Sequence, residues 1–228
     1  MATHSLQYGP EEHLEDLAFL IARLKADPDT VSVVPDVEPA YSALKAQTDA
    51  WSLKRHAVTD AQAAVESADK FMDNAVRTAH DIILDDVKHA HRDPKFITYF
   101  PRGLTAIIKV PYSEEAVAVG ALADRCSQDP SPKVRELAGP LGSAAVQMRT
   151  SLDLRDLAVT AEASAYGQLQ VQKIAAIDTI RRAVNRLEDI FPHERDKVRT
   201  FTRPIRRPER PKEDQPPLPT APAPTPQA

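Results

Sequence analysis

Apolar side chains recur every seven residues through two long stretches of this chain. In the first, Leu44, Trp51, Val58, Val65, Met72 and Ala79 form one track, joined three residues on by Ala61, Ala68, Ala75 and Ile82. In the second, Ala145, Leu152, Val159, Tyr166, Ile180 and Leu187 keep the same spacing, with Lys173 as the exception. Met148, Leu169, Ala176, Ala183 and Ile190 form its companion track. A seven-residue repeat returns to the same helical face every two turns, so each stretch predicts a long helix with a coiled-coil-type seam.

The helix breakers agree with this division. Between Pro39 and Pro94 there is neither proline nor glycine, and between Gly142 and Pro192 the only interruption is Gly167. Long helices are therefore expected over about 40–92 and about 142–191, each roughly 75 Å long at a rise of about 1.5 Å per residue. A competing reading breaks each stretch into a hairpin near Thr59 and Thr160, because Thr59 with Gln62 resembles a capping box. A turn would disrupt the seven-residue phase, and the phase passes through both positions.

The two stretches belong to a longer repeat. Ala57-Val58-Thr59 recurs as Ala158-Val159-Thr160, and Pro10 with Pro111, Pro39 with Pro140 and Thr78 with Thr179 share that offset of 101. One residue further, Arg23, Asp27 and Pro28 match Arg125, Asp129 and Pro130, while Lys95, Thr98 and Tyr99 match Lys197, Thr200 and Phe201. Each unit reads as a short helix, a proline-containing link, a long helix and a closing segment of pattern Lys, apolar, any residue, Thr, aromatic. Matches in the links carry the argument, since alanine-rich helices align with one another by chance. Between the units, Phe96 to Val110 is apolar and contains Pro101-Arg102-Gly103, which predicts a turn. Leu104 to Val110 reads as a helical or irregular segment over a bundle end, because Val31 to Val34 is the only strand partner it could have.

The expected fold is thus all-α, an internally duplicated long-helix bundle with an antiparallel, coiled-coil-like core. Its organisation is a flexible N-terminus over 1–9, a first repeat over 10–110, a second over 111–203 and a disordered proline-rich tail over 204–228. One chain buries both seams most simply by pairing the long helices antiparallel about an approximate twofold axis. Trp51, Tyr166, Tyr99 and Phe201 are then expected in contact with the core.

Composition sharpens this picture. Apolar residues make up 42% of the 228 residues, enough for a core, while aromatics at 5% and only six glycines favour helices packed through small side chains. The formal net charge of −4 weighs against nucleic acid as a partner. Cys126 is the only cysteine, so no intramolecular disulfide forms and a reducing, cytoplasmic setting is expected. No apolar run approaches the roughly 20 residues of a transmembrane helix, which leaves peripheral membrane contact as the only membrane association expected.

Candidate chemistry is sparse. Asp86 and His89 make an acid followed by histidine at i+3, near Asp85, His80 and His91, as di-iron bundles use. Such sites need a second pair, and the duplicate region offers Glu188 and Asp189 without a helical histidine, so a solvated helix end is the simpler reading. Cys126 lacks a neighbouring base and reads as a packing residue. Arginines cluster toward the C-terminus, where Arg203, Arg206, Arg207 and Arg210 are candidates for contact with an acidic surface. Pro216, Pro217 and Pro219 are candidates for an aromatic groove. No metal, cofactor or catalytic residue is expected. The function expected is a non-enzymatic helical scaffold or assembly protein with a protein partner or self-association. A peripheral membrane or polyanion-binding module is the alternative, and a metal-dependent bundle enzyme comes third.

Overall fold

A computed structural model describes residues 8–203, and within them every regular element is a helix. In chain order these are α1 (Pro10–Ala26), a short 3-10 turn (Val31–Val33), α2 (Val34–Asp86), α3 (Pro94–Tyr99), α4 (Thr105–Ile108), α5 (Tyr112–Ser127), α6 (Pro132–Arg135), α7 (Ala138–Ile190) and α8 (Arg195–Arg199). The segment over 204–228, with Arg206, Arg207, Arg210, Pro216, Pro217 and Pro219, lies outside the described residues, as does most of 1–9.

Both long helices are 53 residues and unbroken. The hairpin alternative fails at both threonines for the same local reason. Neither hydroxyl caps a new helix. Thr59 donates to the Arg55 carbonyl at 3.4 Å and Thr160 to the Asp156 carbonyl at 2.9 Å, each one turn back within its own helix.

The boundaries differ from those expected. α2 begins at Val34, so Pro39 lies inside it, and α7 begins two residues before Pro140. Pro140 is the third residue of α7, where the N–H has no intrahelical acceptor in any case, whereas Pro39 is the sixth residue of α2 and removes one bond from its second turn, a loss the long helix absorbs. At the other end α2 stops at Asp86, short of the expected 92. Lys88 and His89 turn left-handed at φ 54° and 62°, and their N–H groups cap the Asp85 and Leu84 carbonyls.

α2 and α7 run antiparallel. Asp36 near the start of α2 pairs with Arg186 near the end of α7, Trp51 donates to Glu162, and Val65 to Ile83 share a core with Leu141 to Met148. Two cores result, one toward each end of the pair. In the first, Leu17, Leu20 and Leu24 of α1 pack with Val37 and Leu44 of α2, Leu169 to Leu187 of α7, and Val198 and Phe201 beyond it. In the second, Val119, Leu122 and Cys126 of α5 pack with the far half of α2, the first half of α7, and Phe96 and Tyr99 of α3.

Each end is tied by matching residues. Lys95 bonds Asp129 at 2.9 Å, and Arg125 donates to the Thr98 carbonyl at 2.9 Å. At the other end Lys197 pairs with Asp27 at 3.2 Å, and Arg23 donates to the Thr200 carbonyl at 3.1 Å. Tyr99 and Phe201 are both buried. The ties are reciprocal: the closing segment after α2 grips α5 and its following loop, while the closing segment after α7 grips α1 and its following loop. The stretches 10–110 and 111–203 are therefore interleaved, and each core draws on both.

Apolar segments between the halves follow the same logic. Phe96 to Val110 forms α3, a turn and α4, with Gly103 at φ 78° closing the turn through its N–H to the Phe100 carbonyl. Ile107 is buried against the second core.

Candidate functional site

α1 and α5 cover only the ends of the long pair. Between Leu44 and Val65 of α2, and between Ser151 and Ala165 of α7, no residue is fully buried. The central tracks expected in the core are accordingly open. Trp51 is half-buried, Val58 likewise, and Val159 and Tyr166 are exposed at 46% and 48%. Trp51 is held by a 2.6 Å bond from its indole N–H to Glu162 and by a tilted contact with Tyr166. A seven-residue phase sets which face meets the partner helix, but a two-helix contact alone cannot exclude water from it.

A second series of apolar residues lies on the outside. Ala43, Ala50, Ala57, Ala64 and Phe71 recur at seven-residue spacing, each one position before the core track, and all are exposed. Ala46 and Leu53 extend the series three residues on, and Asp60 is its only charge. On α7 Leu154, Leu157, Ala161, Val171 and Ala175 follow a similar alternation, and the uncharged Ser164 and Gln168 fill its remaining steps. Leu53 and Leu157 are 68% and 66% exposed, values usual for lysine and not for leucine.

Both series lie away from the helices that cover the ends. α5 lies on the flank of α7 that carries Gly142 and Arg149, whose guanidinium donates to the Ala116 carbonyl at 3.2 Å. α1 covers the flank of α2 that carries Tyr41. Arg149 and Tyr41 each follow a core-track residue by four positions. The Ala43 to Phe71 series precedes that track by one, which is the opposite flank. Leu154 and Leu157 follow Leu152 by two and five positions, which puts them on the outer side of α7 turned away from α5. The uncovered sides of α2 and α7 thus each carry an exposed apolar series.

A second feature joins α2 to α5. Asp69 and Asp73, one turn apart on α2, converge with Glu115 of α5, and one carboxylate oxygen from each lies within 4.8 Å of the other two. Glu115 is 1% exposed. Arg77 pairs with Asp73 Oδ2 at 3.3 Å, while Asp73 Oδ1 and Glu115 Oε1 are buried without a hydrogen-bond partner. Burial pushes the Glu115 carboxyl up to about 7, with the Asp73 and Asp69 charges acting in the same direction.

A pH dependence follows, with its sign set by that upward shift. The folded state holds the Glu115 proton more tightly than the unfolded chain, so this contribution is complete below about pH 4.5 and is lost as pH rises toward about 7. Glu115→Gln should therefore remove part of the fall in melting temperature across that window, measured in buffer free of divalent ions. A variant with the same pH profile as the parent would show that Glu115 is not the group responsible.

The residues singled out for chemistry are placed elsewhere. Asp86 is occupied by Lys95 at 2.7 Å and by the Ser131 hydroxyl at 3.0 Å, and His89 lies beyond the helix end, so the two do not share a helical face. Cys126 is fully buried, and burial together with Asp129 pushes its thiol up to about 11, far from thiolate reactivity. Arg203 pairs with Glu15 and stands 3.9 Å from Asp16, which ties the chain after α8 back onto α1. No helix among the described residues is long and apolar enough to cross a membrane.

Comparison with known protein families, with curated proteins and with solved structures finds no match to this chain.

Proposed function

We propose that this protein is a non-enzymatic helical assembly protein, and that a second copy of the chain occupies the uncovered face of its long helix pair. The observation that carries this reading is the second apolar series on α2 and α7. An exposed, nearly charge-free stripe at seven-residue spacing has the pattern of a coiled-coil seam, not of a solvated helix face.

Size supports a second copy as the occupant. From Ala43 to Phe71 the stripe is about 42 Å long, and two adjacent helices present a width of about 20 Å. That footprint of about 800 Å² matches one partner's share of a standard stable interface. A charged partner would find little counter-charge along the series, whereas a second copy brings the same mostly apolar surface, and its alanines allow close helix approach. Two pairs joined in this way make an antiparallel four-helix layer with α1 and α5 outermost.

The matching ties at both ends support internal duplication of one helical unit as the origin of the fold. A twofold-related chain places like residues in like environments, which suits a symmetric assembly. The engagement of Arg203 with α1 favours this reading over the binding of an acidic surface by that residue. Light scattering coupled to gel filtration tests the proposal. A mass of about twice 25.1 kDa is expected at micromolar concentration, and a monomer throughout would overturn it.

A further inference from the structure

We propose that Asp69, Asp73 and Glu115 form a binding site for a hard divalent cation, with Ca²⁺ the best fit, that locks α5 onto α2. The three side chains offer only oxygen ligands, the donor set such cations take. Two oxygens on opposite sides of a Ca²⁺ ion at about 2.4 Å are about 4.8 Å apart, so the observed spread fits a common centre. The independent sign of a ligand is the pair of orphan acceptors. Asp73 Oδ1 and Glu115 Oε1 are buried with no hydrogen-bond donor, although Asp73 Oδ2 has Arg77. A buried acceptor left unpaired is costly, and a cation between them would satisfy both.

The site has an entry side. Glu115 is closed off from solvent, whereas Asp69 and Asp73 are only half-buried, leaving room for water to complete the coordination shell. The consequence is structural. α5 rests mainly on α7, so a cation shared by Asp69, Asp73 and Glu115 would give its first turn a direct bond to α2.

Chelator-treated protein at pH 7.5 should gain melting temperature on adding millimolar CaCl₂. At a concentration about 100-fold above Kd the rise would be roughly 5–10 °C. MgCl₂ should give a smaller rise, since Mg²⁺ demands shorter bonds. Glu115→Gln and the double variant Asp69→Asn, Asp73→Asn keep side-chain size and should lose the response, with calorimetric titration showing loss of stoichiometric binding. No rise in the parent protein would overturn the proposal and leave a proton shared between Asp73 and Glu115. An equal rise in the Glu115→Gln variant would also overturn it, by assigning the effect to general surface charge. Neither result bears on self-association, which is read separately from the mass.

Discussion

Asp129→Ala should destabilise the protein by about 3 kcal/mol, the scale for stripping one partner from a buried ionic cluster. Asp129 is 5% exposed and accepts from Lys95 at 2.9 Å, from the Tyr99 hydroxyl at 2.6 Å and from the Ser131 N–H at 2.7 Å. Burial opposes its charge, but Tyr99, Lys95 and the Ser131 N–H outweigh that and hold its carboxyl below the ordinary value. Its contribution is therefore present at neutral pH and lost as the solution is acidified through that lowered value. Asp27 is the matching residue at the other end, but the residue there that corresponds to Tyr99 is Phe201, which has no hydroxyl to donate, and the Asp27 side chain is 22% exposed. Asp27→Ala should cost clearly less. Thermal melts of the two variants check this, and equal losses would show that the Tyr99 bond adds nothing. By the same reasoning Tyr99→Ala should exceed Phe201→Ala, since only the former takes a hydrogen bond from a buried carboxylate.

The second large effect concerns assembly. Leu53→Lys together with Leu157→Lys should convert the proposed dimer to a monomer while leaving helicity and melting of the monomer unchanged. Both leucines are exposed, so neither substitution buries a charge within one chain. Four lysines would instead be brought into one dimer interface, where like charges are strongly unfavourable. Gel filtration with light scattering should show the mass halve. A variant that unfolds would mean that these residues belong to the monomer core, and an unchanged dimer would place the interface elsewhere.

Much of the architecture was legible because its signals are local or periodic. The tracks from Leu44 to Ala79 and from Ala145 to Leu187 are read from spacing alone, and their helices are continuous. The pairs Arg23 with Arg125, Asp27 with Asp129 and Lys95 with Lys197 were visible as sequence matches, and they form the ties at the two ends. What spacing could not show is how far the covering helices reach. α1 and α5 are 17 and 16 residues against 53, so Trp51, Val58, Val159 and Tyr166 remain open although their phase is that of the core.

The candidate sites were less legible. Ala43, Ala50, Ala57 and Ala64 are at seven-residue spacing in plain view, yet alanine is also the commonest filler of an exposed helix, and the series gains meaning only once its flank is seen to be uncovered. Asp69 and Asp73 at i and i+4 face the same way, but Glu115 reaches them from a helix more than forty positions later, and only tertiary packing supplies that neighbour. The reverse happened at Asp86 and His89, where a spacing that suits metal binding is cancelled by the helix ending between them.

Position-specific cross-linking tests the central claim most directly. Ala57 lies at the middle of the proposed seam and Asp124 is exposed on α5, outside it. In a Cys126→Ser background, Ala57→Cys should form a disulfide-linked species of about 50 kDa, twice the chain mass, under mild oxidation. Asp124→Cys should stay at 25.1 kDa under the same conditions. Cross-linking through Asp124→Cys but not through Ala57→Cys would contradict the account.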